Sequence, residues 1–185
     1  MKISPIVLLL RQKCSSFKGR IGGTADIPIA ETSTNLPLPC AFVLAPRDAA
    51  EDVAMQTRYV QNVVTTFDIM LYVSAASDER GLDAYDVADE LKAEIIQALA
   101  GYEPSDCTDW ISFDSAEVAA LNAAYLAYRL TFRCAYTIDD AYTYHGELIE
   151  NLPRFLRLQT NVVGIEGDPT GQTPIASQRI AFPED

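Results

Sequence analysis

Two stretches of the chain alternate apolar and polar residues with a period of two, and both are long. Between Leu126 and Ile138, the residues Leu126, Tyr128, Leu130, Phe132, Cys134, Tyr136 and Ile138 interleave with Ala127, Arg129, Thr131, Arg133, Ala135 and Thr137. A strand with one buried face reads this way. Between Tyr59 and Val73, Phe67, Ile69, Leu71 and Val73 share a face with Tyr59 and Val63, while Arg58, Asn62, Thr66 and Asp68 fall opposite. Strands in globular proteins usually run about 3–10 residues. Strands this long predict a sheet that reaches past its own domain, so assembly is weighed before catalysis.

The remaining pattern fills in around these two strands. Ser4 before Pro5 predicts an N-cap with proline at the first helical position, and Ile6, Leu9, Leu10, Cys14 and Phe17 recur at helical spacing. Gly19 to Gly23 reads as a turn or short strand leading into a loop from Ala30 to Pro39. The apolar run Leu38 to Pro46, bracketed by prolines, predicts a buried strand. An acidic polar loop, Arg47 to Gln56, would join it to the first long strand as a hairpin. From Leu82 to Leu99 the period becomes 3.6, with Ala84, Ala88, Leu91, Ile95, Ala98 and Leu99 on one stripe and Asp83, Asp86, Asp89 and Glu90 crowding the first half. Carboxylates there suit the positive end of the helix dipole, and Gly101 and Pro104 supply the stop. Trp110 to Val118 predicts another strand, turning at Asn122 into the second long one.

This order implies an α+β fold, a largely antiparallel sheet with helices packed on one face. After Ile138 the pattern fades, and Gly164, Gly167, Pro169, Gly171 and Pro174 mark an extended C-terminal arm. The expected organisation is therefore an α+β domain over residues 1–149 and an arm over 150–185. The arm keeps apolar anchors in Phe155 and Phe182, with Arg154 and Arg157 beside the first. Such a segment is expected to order against a partner whose carboxylates meet the two arginines.

Composition narrows the function more than it defines it. With 185 residues, 49% of them hydrophobic, the chain can build one core. A formal charge of −12, from 14 basic and 26 acidic residues, argues against a surface for nucleic acid, whose affinity comes from clustered Lys and Arg. The apolar run after Lys2 stops at Arg11, too short for an export signal, and no stretch approaches the ~20 apolar residues of a membrane span. Cys14, Cys40, Cys107 and Cys134 show no metal-type spacing; two sit on predicted apolar faces, where an unpaired cysteine behaves as a small hydrophobe, and a structural role in a reducing cytoplasm is the expectation over a redox or metal one.

No catalytic constellation emerges, and no cofactor or metal is expected. Gly19-Arg20-Ile21-Gly22-Gly23 lacks the arrangement of a phosphate loop. The single histidine, His145, has no partner pattern, and a surface or interface position is its expected place. Carboxylate pairs such as Asp139-Asp140 are too common here to single out. Arg129 and Arg133 stand on the non-core face of the second long strand. Their plain reading is cross-strand pairing to carboxylates such as Asp68; the sharper one is contact with another copy of the chain, for which Tyr125 and Thr131 beside them also suit. The candidate interface residues are thus Arg129, Arg133, Arg154, Phe155, Arg157 and Phe182.

Taken together, the N-terminal helix, "RIGGTADI" at Arg20 to Ile27, "LPCAFVLAP" at Leu38 to Pro46, "RYVQNVVTTFDIMLYVS" at Arg58 to Ser74, "GLDAYDVADELKAEIIQALAGYEP" at Gly81 to Pro104 and the hairpin from Trp110 to Tyr136 resemble the tail terminator (tail completion) proteins of long-tailed bacteriophages. The resemblance covers roughly Ile3 to Ile138 and rests on element order and distributed apolar pattern. It implies a structural virion protein at the head-proximal end of the tail, made in the host cytoplasm. It further implies a homo-hexameric ring that caps the tail tube protein, stops its polymerisation and meets a neck or head completion protein. DNA would pass through such a ring without specific binding, which an acidic protein favours by repelling phosphates. No catalytic residue comes with the family, and the chain departs from its pattern after Ile138. Two other classes stay open on the residues alone: a small cytoplasmic α+β ligand-binding domain or enzyme, marked by a deep pocket with convergent polar groups, and an acidic inhibitor that mimics DNA.

Overall fold

A computed structural model describes residues 1–24, 37–54, 58–75, 82–151, 157–163 and 174–181, the last two segments by their backbone course. In chain order the elements are α1 (Ile3–Lys13), β1 (Ile21–Gly23), β2 (Cys40–Val43), β3 (Arg47–Ala50), β4 (Gln61–Ser74), α2 (Leu82–Leu99), β5 (Ser112–Leu121), β6 (Tyr125–Ile138), α3 (Tyr144–Glu150), β7 (Arg157–Val163) and β8 (Pro174–Ala181). One six-stranded sheet runs β1-β2-β4-β6-β5, with β3 also on β4, and β7 pairs β8 separately. Among the described strands of the larger sheet, β1 and β2 pair in parallel and the other contacts are antiparallel. This is an α+β fold. The chain divides into two compact units, Met1–Thr143 and Tyr144–Asp185.

The two long alternating stretches are each other's partners. β4 and β6 are 14 residues each and pair over their full length, from Gln61 opposite Ile138 to Ser74 opposite Tyr125. That register sets Phe67 against Phe132, Ile69 against Leu130, and Val73 against Leu126 on one face. A slip of one residue would turn the whole apolar set to the other face. At the centre, Phe67 and Phe132 stack with centroids 5.6 Å apart, and Phe113 meets Phe132 edge-on at 5.6 Å.

α1 and α2 cover this face. Ile6, Leu10, Cys14 and Phe17 from the N-terminal region join Ala84, Ala88, Leu91, Ile95 and Leu99 from α2 in the main core. Burying each large aliphatic or phenyl side chain contributes about 1.5–3 kcal/mol. The acidic residues Asp83, Asp86, Asp89 and Glu90 are exposed on the outer side of α2. The helix ends where Gly101 adopts φ +82°, a left-handed conformation that suits glycine.

Three local expectations change. α1 is capped at Lys2 rather than Ser4, so Pro5 lies inside the first turn, where a missing N–H costs no intrahelical bond. The segment Arg47–Ala50, expected as loop, is strand β3: it pairs Val63–Thr66 of β4, the stretch just beyond β2's reach. All four of its residues are exposed, so no alternation betrayed it. The second face of the sheet is not polar throughout. Cys40, Phe42, Tyr72 and Ala127 are buried there, and Tyr72 packs edge-on against both Phe42 (5.8 Å) and Tyr125 (5.4 Å).

Within the arm, β7 and β8 form an antiparallel ladder from Arg157 opposite Ala181 to Val163 opposite Pro174. The sequence pattern carries no sign of this pairing. The loop residues 30–36, the glycines 164, 167 and 171, and Pro169 lie outside the described residues.

Candidate assembly surface

β6 projects Arg129 and Arg133 onto the face away from the helices, and the neighbouring strand supplies carboxylates. Arg129 Nη1 is 3.0 Å from Glu117 Oε1, and Arg133 Nη1 is 3.9 Å from Asp114 Oδ1. Both pairs are solvent-exposed, so each is worth about 0–1 kcal/mol. Asp68, the carboxylate expected to meet these arginines, is engaged elsewhere: Thr131 Oγ1 donates to its Oδ1 at 2.9 Å and Arg47 Nη2 to its Oδ2 at 3.1 Å. Asp68 is buried, so its partners come from the strands directly beside it, while the arginine side chains lean outward to β5. Arg157 opens β7, where the backbone alone is described. Arg154, Phe155 and Phe182 lie outside the described residues, as does the side chain of His145.

Sequence patterning missed an exposed apolar strip. Phe113, Val118 and Leu121 of β5 lie opposite Phe132, Tyr128 and Leu126, on the same face as the main core. Yet they are 37%, 44% and 55% exposed, and Trp110 just before the strand is 64% exposed. The cause is geometric. α2 packs over β4 and β6, and β5 lies one strand further out, at the sheet edge. Tyr85 of α2 extends the strip, edge-on to Tyr128 at 6.2 Å. Register shifts between Phe113 and Ser115 and between Val118 and Ala120 break the alternation that would have announced this face.

Met1–Thr143 carries surface clefts open to solvent. One of about 390 Å³ is lined by Asp106, Cys107, Thr108, Tyr136, Ile138 and Tyr142 among others. Among the described residues no three His, Cys, Asp or Glu side chains converge as a metal site, and no helix is long and apolar enough to cross a membrane. Cys14 and Cys40 are buried, and desolvation pushes both thiols up to about 11, with Glu94 adding to the effect at Cys14. Cys107 and Cys134 sit together, sulfur to sulfur at 3.1 Å.

Among the described residues the fold is an α+β sheet-and-helix domain with an exposed apolar margin along its β5 edge. The chain belongs to the phage tail terminator protein family, whose model matches residues 1–143. It is accordingly a structural, non-enzymatic component of the virion tail. Among solved structures, a chain from "Virion of native gene transfer agent (GTA) particle" is similar at 16% identity and a TM-score of 0.49, over 72% of this chain and 92% of that one. Among curated protein sequences nothing matches this chain.

Proposed function

We propose that this tail protein forms a ring, of about six copies as its family resemblance implies, that caps the head-proximal end of the tail tube, ends tube growth and offers its other side to the neck. The observation that supports this reading is the strip Trp110, Phe113, Val118 and Leu121, which a lone subunit leaves in water at the edge of its sheet. A ring repeats one contact between unlike surfaces, and an uncovered apolar margin supplies one of the two. Arg129 and Arg133 lie on the opposite face of the sheet, paired with Glu117 and Asp114 of the same edge strand, and serve as orienting charges. In this reading residues 1–149 form the ring body, and the arm over 150–185 reaches a neighbouring subunit, the tube protein or the neck protein. The net charge of −12 leaves the passage without attraction for the DNA that traverses it.

The test is imaging of the head-proximal tail end together with native mass spectrometry of the purified chain. A closed ring of this chain between tube and neck is the expected result. A monomer or a two-fold dimer at that position would overturn the proposal. Val118→Lys, which charges the strip on an exposed strand, should abolish ring formation while leaving the circular dichroism spectrum unchanged.

A further inference from the structure

Cys107 and Cys134 are far apart in sequence and adjacent in space, and three features fix them there. Thr108 and Asp109 both donate their backbone N–H to the carbonyl of Ala135, at 2.9 and 3.2 Å, so the loop runs beside β6 at hydrogen-bonding distance. A disulfide needs its two sulfurs to come together from neighbouring backbone segments, and this loop brings Cys107 alongside the strand that carries Cys134. Pro104 accepts from the backbone N–H of Cys107 at 3.0 Å, which shapes the loop from within. The sulfurs are 3.1 Å apart, and the Met1 sulfur lies 3.5 Å from that of Cys134.

The two thiols differ in access. Cys107 lines the open cleft of about 390 Å³, whereas Cys134 is buried beneath it. Desolvation, then the hydrogen bond and charge of Cys107, push the Cys134 thiol up to about 12. A small oxidant therefore meets Cys107 first. A filler role of the kind Cys14 and Cys40 play needs no second sulfur in contact.

We propose that Cys107 and Cys134 close an intramolecular disulfide after the virion leaves the reducing cytoplasm, with hydrogen peroxide as the two-electron oxidant. The Cys107 thiolate attacks one peroxide oxygen, the O–O bond breaks, and hydroxide leaves a sulfenic acid on Cys107. The Cys134 sulfur then attacks the Cys107 sulfur, the S–O bond breaks, and a second hydroxide departs. The two thiol protons end on the two hydroxides as two waters, so two electrons pass from the thiols to peroxide. The bond would tie the loop after α2 to β6, closing a loop that contains the β5–β6 hairpin. The same loop carries Asp106, which accepts from the backbone N–H of Lys2 at 2.8 Å, so α1 would be held as well.

The experiment treats the reduced full-length chain with stoichiometric hydrogen peroxide, alkylates it after unfolding, and reads intact mass, linked peptides and thermal melting. The expected result is a loss of two mass units, a peptide joining Cys107 to Cys134, and Cys14 and Cys40 both alkylated. Tm should rise by on the order of 10 °C, as a cross-link closing a loop of this length constrains the unfolded chain. Cys107→Ser should melt like the reduced wild type and no longer respond to peroxide. Because the readout on the wild-type chain does not depend on any variant folding, failure there is decisive. A gain of 32 mass units on Cys107, a bond to Cys14 or Cys40, or an oxidised form that melts lower than the reduced one would each overturn the proposal.

Discussion

Thr131 and Asp68 face one another across β4 and β6, and the threonine hydroxyl donates to the buried carboxylate at 2.9 Å. Arg47, from the strand on the other side of β4, reaches the second carboxylate oxygen at 3.1 Å. One side chain thus ties three strands on the face away from the helices. Asp68→Ala should cost about 1–3 kcal/mol, because it leaves the Thr131 hydroxyl without its acceptor. Arg47→Ala should cost no more than about 1 kcal/mol, since that guanidinium is exposed. Urea unfolding of the two variants measures the order; equal losses would contradict it.

The N-terminus of α1 has no cap from its own segment. Asp106 fills the place from a distant loop, accepting the Lys2 N–H and lying 3.8 Å from the α-amino group. Asp106→Ala should destabilise the protein by about 0.5–2 kcal/mol, the range for loss of a cap. Asp106→Asn should retain most of the stability. Hydrogen exchange of the first turn of α1 would rise in the alanine variant and stay near wild type in the asparagine one.

Phe132 is the hinge of the aromatic cluster, touching Phe67 by stacking and Phe113 edge-on. Phe132→Ala should cost about 3–5 kcal/mol through lost burial and the cavity left behind. Phe113→Ala, on the uncovered margin, should cost far less in the isolated subunit. Thermal melts of both variants separate a core role from a surface one.

Stability should decline in mild alkali. Burial raises the thiols of Cys14 and Cys40 to about 11 and that of Cys134 to about 12, from an ordinary 9.0. Above pH 9 the unfolded chain releases these protons while the folded one holds them, so the unfolded state binds fewer protons and stability falls with pH. The contribution is fully present below pH 9 and is lost progressively up to pH 12. Urea midpoints under reducing conditions at pH 8.5, 9.5 and 10.5 should fall in that order, with a shallower decline in Cys40→Ala. A flat profile would contradict the assignment.

The parts of the fold legible in the sequence are those where one face is buried and the other wet. β4, β6 and α2 show this, because the core imposes its period on every second or every third to fourth residue. β3 escaped because none of its residues is buried, so its strand state comes from backbone pairing alone. The strip on β5 escaped for two reasons: bulges reset its alternation, and its exposure depends on where α2 ends laterally, a tertiary fact. Alternation puts Arg129 and Arg133 on the outer face, which is where they lie. Their partners were not legible, since Asp114 and Glu117 come from a strand whose register the bulges control. The nearness of Cys107 to Cys134 could not be read from spacing, because Cys107 sits in a loop whose path is set by its bonds to Ala135.

The interrupted register of β5 also bears on how the protein survives at high concentration. A straight free edge invites strand after strand to add without limit, the route to fibres. Here the uninterrupted pairing run is only Ser115–Val118, bounded by a shift on either side. An incoming backbone would find only a short regular template, which works against open-ended β-stacking while the side-chain surface stays available.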